Sequence, residues 1–148
     1  MSGRDPLAFQ VFTEIGIINQ LAQAGFAAVL PKGMTMAQFI VLNHFVRLGH
    51  DEQSPAQLAS AFQITRPTMT STLARMEKSG LVAIRPDPED GRGKLVSVTA
   101  AGREMRDLCL QRLRAPLADA DAVLSPETLA ALLPLLREVR VKLDRLRD

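Results

Sequence analysis

Residues 64–99 read ITRPTMTSTLARMEKSGLVAIRPDPEDGRGKLVSVT, and a change of period inside this stretch decides the fold. From Thr65 to Lys78 the apolar residues recur at helical spacing. Met69, Leu73 and Met76 fall within about 60° of one another at 100° per residue. Thr65 is placed to cap this helix and Gly80 to stop it. Beyond Gly80 the pattern shortens. Leu81–Arg85 and Leu95–Thr99 are rich in β-branched residues, and the intervening Pro86–Gly93 is dense in turn formers. This predicts two antiparallel strands joined by a long, projecting loop.

The residues on either side extend the reading. Ser54-Pro55-Ala56-Gln57 carries a capping-box pattern with proline at the first helical position, where its missing N–H costs nothing. It opens a short helix to about Phe62. Ala59 is small where two helices cross, and Ile64 is expected to plug the gap after the turn. Thr35-Met36-Ala37-Gln38 has the same capping pattern, with Phe39, Leu42, Phe45 and Val46 as the apolar face behind it. Gly49–Glu52 reads as a loop. Residues 7–30 place Leu7, Val11, Phe12, Ile15, Ile18, Leu21, Ala22, Gly25 and Val29 on one stripe of a long helix ended by Pro31-Lys32-Gly33. From Ala100 a helix runs to about Ala122, bent or interrupted at Pro116. Ser125-Pro126-Glu127 opens a last helix striped by Leu129, Leu132, Leu133, Leu136, Val139, Leu143 and Leu146 and kinked at Pro134. Helix, short helix, tight turn, helix and hairpin in that order is a winged helix-turn-helix. The fold class is therefore mainly α with a small β-hairpin, a single domain over 1–148. The winged part occupies about 35–100, with long terminal helices at about 5–30 and 101–148. Those stripes exceed what a winged part covers alone, so they pair either with a second copy or with each other.

Composition limits what such a fold can do. The chain has 148 residues, 47% hydrophobic and 23% charged, which excludes a disordered polypeptide. No apolar run approaches the roughly 20 residues of a membrane span. Met1–Pro6 shows no secretory pattern, so a cytoplasmic location is expected. One cysteine, Cys109, rules out an internal disulfide and a multi-cysteine zinc site. His44 and His50, six positions apart, make a poor metal site, and no metal or cofactor is expected. The net charge is only +2, with residues 54–99 carrying six basic and four acidic groups. Bulk charge therefore does not announce a partner. With neither Trp nor Tyr present, a stacking platform for single strands is poorly supported.

The helix over 65–80 presents an outward face of Pro67, Thr70, Ser71, Ala74 and Lys78, flanked by Thr68 and Arg75. Small hydroxyls edged by cations suit the major groove of double-stranded DNA, and a helix N-terminus attracts phosphate. In the loop, Arg92 stands between Gly91 and Gly93, which favour positive φ and close backbone approach. Asp90 is placed to hold a guanidinium through a forked hydrogen bond. An arginine on a protruding β-tip fits the narrow minor groove.

From Ser54 to Gly102 the chain resembles the MarR-type multiple-antibiotic-resistance regulators. The resemblance rests on Ile64–Thr70, Arg75–Val82, Asp87–Arg92 and Leu95–Gly102, and above all on the Asp90-x-Arg92 wing followed by a Leu95-to-Thr99 strand end. Gly33–Phe39 also looks like that family's approach to its second helix. The resemblance implies a homodimer with interlocked terminal helices, and a ligand-responsive transcription regulator, a repressor, on a pseudo-palindromic operator. It implies that Thr65, Arg66, Pro67, Thr68, Thr70, Ser71 and Arg75 face the DNA, that Asp90 orients the wing and that Arg92 enters the minor groove. Gln63 departs from the family's usual glycine, as a left-handed residue or as a turn of different shape. A small aromatic or anionic effector is implied between the terminal helices and the winged part, lined by Phe26, Met34, Phe39, Asn43, His44 and Arg47. Each of these also has a plain structural reading as core or interhelical contact. Cys109, between Leu108 and Leu110, reads as a buried thiol before a redox sensor. The alternatives are a winged-helix protein-interaction module that never touches DNA and, least supported, a small hydrolase or transferase. Neither a Gly-rich phosphate loop nor a nucleophile–base set is present, so no enzyme is expected.

Overall fold

The computed structural model describes residues 5–147. Residues 1–4, part of the opening read above, and residue 148 lie outside the described residues. The elements are α1 (Leu7–Ala27), α2 (Met36–Leu48), α3 (Pro55–Phe62), α4 (Arg66–Lys78), β1 (Val82–Pro86), β2 (Lys94–Val98), α5 (Ala100–Leu124) and α6 (Pro126–Asp144), followed by a 3₁₀ turn at Arg145–Arg147. The chain divides into two compact units, one up to Leu113 and one from Arg114 onward. No described helix is long and apolar enough to cross a membrane.

Local chemistry sets the helix starts in the first unit. The Thr35 hydroxyl accepts the Gln38 backbone N–H at 3.2 Å while the Gln38 side-chain Oε1 accepts the Thr35 backbone N–H at 3.4 Å. Ser54 and Gln57 repeat the exchange at 3.1 and 2.9 Å, with Pro55 as the first helical residue. Each box satisfies two orphan donors. The Thr65 hydroxyl accepts the Thr68 N–H at 3.3 Å to open α4. Helix α1 ends at Ala27, three residues short of the sequence expectation. The residue before Pro31 is biased away from helical backbone, and the chain unwinds ahead of it.

The core joins Val41, Leu42 and Phe45 of α2, Leu58 and Ala59 of α3, Met69, Leu73 and Met76 of α4, and Leu81, Val82 and Val96 of the hairpin. All are buried, so α4 turns its apolar face inward as its period requires. Ile64 does not plug the turn; it is 39% exposed. Gln63 adopts left-handed backbone at φ 54, ψ 41, and the Ile64 N–H bonds back to the Ala59 carbonyl at 3.1 Å. That kink directs Ile64 outward, and Phe62, just before it, packs on the core instead.

The strands pair antiparallel, Val82 opposite Val98 through Pro86 opposite Lys94, one residue displaced from the expected spans. Gln53 adds a rung that the sequence does not advertise. It exchanges two backbone bonds with Val96, at 3.0 and 2.8 Å. The hairpin closes onto α5 through Thr99, whose hydroxyl donates to the Gly80 carbonyl at 2.6 Å and accepts the Gly102 N–H at 3.0 Å. Gly102 lies so close that a Cβ there would stand 2.1 Å from the Leu81 carbonyl oxygen. A second apolar cluster gathers Phe39, Cys109 and Leu113 with Phe26, Val29, Leu30, Met34, Met36, Met105 and Leu110.

In the second unit α5 runs unbroken through Pro116, and α6 likewise through Pro134. Neither proline interrupts its helix; each removes one N–H whose carbonyl partner water can hydrate on an exposed helix. Ser125, at φ 62, caps α6 by accepting the Thr128 N–H at 3.3 Å. No residue of α6 is buried, and none of α1 in the first unit. Leu7, Ile18 and Leu21 of α1 are 76%, 61% and 70% exposed, and Leu132, Leu133, Leu136 and Leu143 of α6 are exposed as well.

Two backbone sites predict opposite signs. Gln63→Gly removes a left-handed penalty and raises unfolding stability by about 1 kcal/mol. Gly102→Ala forces α5 off the Leu81 carbonyl and lowers it by about 3 kcal/mol. Urea denaturation of both variants measures this.

Candidate nucleic-acid interface

Once Met69, Leu73 and Met76 are buried, the rest of α4 faces solvent except the half-buried Thr72. Thr65, Arg66, Pro67, Thr68, Thr70, Ser71 and Arg75 are all exposed, as are Asp90 and Arg92. The hydroxyls on this face divide into two kinds. Those of Thr65 and Thr68 bond each other at 2.8 Å, and that of Thr72 donates to the Thr68 carbonyl at 3.1 Å. Those of Thr70 and Ser71 have no intramolecular partner among the described residues, and the cations of Arg66, Arg75, Lys78 and Arg92 form no ion pair there. A surface of free donors next to a capped helix N-terminus is suited to phosphate and base edges.

Helix α4 and the hairpin enclose an open groove of about 1050 Å³. Arg66, Thr70, Ala74 and Glu77 line one wall; Arg85, Asp90, Arg92 and Lys94 line the other. Four of the nine expected interface residues, Arg66, Thr70, Asp90 and Arg92, thus share one concavity. Thr65, Pro67, Thr68, Ser71 and Arg75 lie on α4 outside its lining.

The wing tip differs from its sequence reading in two respects. Asp90 does not hold the Arg92 guanidinium. Its carboxylate accepts the Arg92 backbone N–H at 3.1 Å, and the Gly93 N–H donates to the Asp90 carbonyl at 2.9 Å. A carboxylate two residues before an N–H closes a local turn with less loss of chain entropy than one reaching for a long side chain. The Arg92 guanidinium is left free. Gly91 and Gly93 are not left-handed either; among the described residues the positive-φ glycines are Gly33, Gly49 and Gly80. Gly93 is closely approached: a Cβ there would meet an Asp90 carboxylate oxygen at 3.1 Å, so that side chain would have to shift by a few tenths of an ångström. Sequence reasoning also missed Glu52, whose carboxylate accepts two bonds from Arg85, at 3.0 Å from Nε and 2.7 Å from Nη2. Nothing local signals a pair 33 positions apart.

The expected effector residues fall into different settings. Phe26, Met34 and Phe39 pack in the second apolar cluster around Cys109. The Asn43 side-chain carbonyl is occupied by Arg106, from Nε at 3.2 Å and Nη2 at 3.0 Å. His44 belongs to the winged core: its Nε2 lies 3.0 Å from Gln53 Oε1 and its ring meets Phe62 at 5.0 Å. Arg47 is exposed at the end of α2. Cys109 is fully buried, and desolvation pushes its thiol pKa up, as its apolar flanks imply. Burial lowers the His44 pKa, with the Arg47 and His50 charges adding to the effect and the Gln53 bond opposing it. No three His, Cys, Asp or Glu side chains among the described residues gather as metal ligands would.

A family model described as the MarR family matches residues 32–93. The transcriptional activatory protein BadR of Rhodopseudomonas palustris is 34% identical over 94 residues, covering 63% of this chain. The chain spans about half the length of that relative, 54%. Among solved structures, a mutant MarR from E. coli complexed with operator DNA superposes with a TM-score of 0.74 at 26% identity, over 91% of this chain and 99% of that one. BpsR of Bordetella bronchiseptica, whose DNA binding is regulated by 6-hydroxynicotinic acid, gives 0.75 at 26%, over 88% and 98%.

The buried imidazole sets a pH dependence. A folded pKa below the ordinary value means that the unfolded chain binds the proton more readily, so the contribution of neutral His44 is complete above the free imidazole range and is lost as pH falls through it. Stability therefore declines as pH falls through and below the free imidazole range, about 6.5. An NMR titration should show the His44 ring protonating below a free histidine, and an ordinary midpoint refutes the burial argument.

Proposed function

We propose that this chain, which belongs to the MarR family, is a sequence-specific DNA-binding transcriptional regulator that acts as a homodimer on a pseudo-palindromic operator, in our reading as a repressor. The observation that carries the proposal is the unpartnered Arg92 on the wing, across one groove from the free donors of α4. In this reading Thr70, Ser71 and Arg75 meet base edges in the major groove while Arg66 and the capped start of α4, with Thr65, Pro67 and Thr68, meet phosphate. Arg92, held out by the turn that Asp90 closes, enters the adjacent minor groove. Its freedom from Asp90 supports this role, because the guanidinium need not break an intramolecular pair to bind.

The exposed apolar stripes of α1 and α6 support the dimer, since faces of that length in water favour a second copy. Two-fold pairing sets two α4 helices about one DNA turn apart, which calls for half-sites spaced by about 10 base pairs. By analogy with BpsR, the effector would be a small aromatic acid, bound beside Phe26, Met34 and Phe39 and near the Asn43–Arg106 pair. The protein would bind rather than catalyse, in the cytoplasm where its operator lies.

Genomic fragments selected by the purified chain provide the test. Affinity for a selected fragment should fall steeply and linearly on a log–log plot against salt. Arg92→Ala should weaken binding about tenfold and flatten the salt slope by about one counterion while the dimer stays intact by ultracentrifugation. Full binding after joint replacement of Arg66, Arg75 and Arg92 by Ala overturns the reading in favour of a protein-interaction module.

A further inference from the structure

The loop between α2 and α3 grips the wing at its root. Glu52 receives the Arg85 guanidinium in a two-point fork, and Arg85 stands one residue before Pro86, the last residue of β1 ahead of the projecting loop. Its neighbour Gln53 pairs through both backbone groups with Val96, the buried residue of the other strand. The Gln53 side chain in turn bonds His44 on α2. Two consecutive residues therefore hold β1 and β2 separately and anchor both to the body of the domain.

A two-stranded hairpin has little rigidity of its own in water. Below Val96 this one rests on the core; above it Arg85, Pro86 and Lys94 are exposed, and the fork ties that part of the hairpin to Glu52. An exposed ion pair adds little to global stability. A forked carboxylate–guanidinium bond nevertheless fixes direction as well as distance, because both partners are planar. The same fork pairs the Arg85 cation with a carboxylate within the groove that Arg66 and Arg92 also line, so that of these three only the latter two are without an ion pair among the described residues.

We infer that Glu52 is a positioning residue for the wing: by holding Arg85 in a fork while Gln53 pairs with Val96, it sets the angle at which the hairpin carries Arg92. The inference rests on the reading of Arg92 as a DNA contact for its consequence, and on geometry alone for the clasp itself.

Glu52→Gln and Arg85→Gln break the same fork while moving local charge in opposite directions, which separates positioning from simple electrostatics. Without DNA, both variants should speed amide exchange at Gln53 and Val96 by about threefold with an unchanged melting temperature, the scale of one exposed pair. Unchanged exchange in both overturns the inference. On a fragment selected by the wild-type chain, both variants should weaken binding by about threefold, and neither should weaken it further in an Arg92→Ala background. Tighter binding by Glu52→Gln with weaker binding by Arg85→Gln overturns the inference in favour of phosphate electrostatics, and losses that simply add to that of Arg92→Ala overturn it too. If the wild-type chain selects no DNA, the proposed function fails, and the exchange measurement still decides the clasp.

Discussion

The hydroxyl of Thr99 joins the end of α4, the last strand of the hairpin and the first turn of α5. It donates to Gly80 and accepts from Gly102 in one short span, while the Thr99 backbone N–H bonds the Leu81 carbonyl at 3.1 Å. The arrangement closes only because Gly102 has no side chain to strike that carbonyl. The place where the base of the hairpin meets the end of α4 follows from this junction, as does the point where the long helix departs. A groove between α4 and the hairpin exists because these elements are fixed at a shared corner rather than through a flexible linker.

From that corner the two faces of α4 take complementary tasks. Met69, Leu73 and Met76 fill the space between α2, α3 and the hairpin, which leaves small polar residues and cations outward. The helix is thus strongly held on one side and available on the other. At the tip the same logic holds on a smaller scale. Asp90 spends its carboxylate on backbone, so the loop is stiff while the arginine it presents is not tied down.

Much of this was legible along the chain because its causes are local. Capping boxes at Thr35 and Ser54, the cap at Thr65 and the i, i+4, i+7 burial of α4 each involve residues within two turns, and each stands in the structure as read. Gln63 adopts the left-handed alternative. The features that escaped are of another kind. Glu52–Arg85 and Gln53–Val96 join positions far apart in sequence, and a charged or amide residue in a loop has many possible partners until the fold chooses one. Ile64 was misjudged because the kink beside it reverses which neighbour faces the core. At Asp90 the donor is the Arg92 backbone N–H and not the expected guanidinium, since a nearby backbone N–H outcompetes a long side chain. The partners of Asn43 and His44 were hidden for the same reason. Asn43 and His44 are adjacent on α2, so they point to different sides, one to Arg106 and the other to Gln53.

The two uncommitted hydroxyls at Thr70 and Ser71 have a consequence for the breadth of what α4 can recognise. An O–H rotor gives or takes a hydrogen bond according to what faces it, whereas a fixed amide or guanidinium insists on one polarity. A helix that speaks mainly through rotors accepts several letters at the same place in a DNA word. On the proposed function, discrimination would then fall to how readily the duplex narrows around the wing, making target choice a matter of bendability more than spelling.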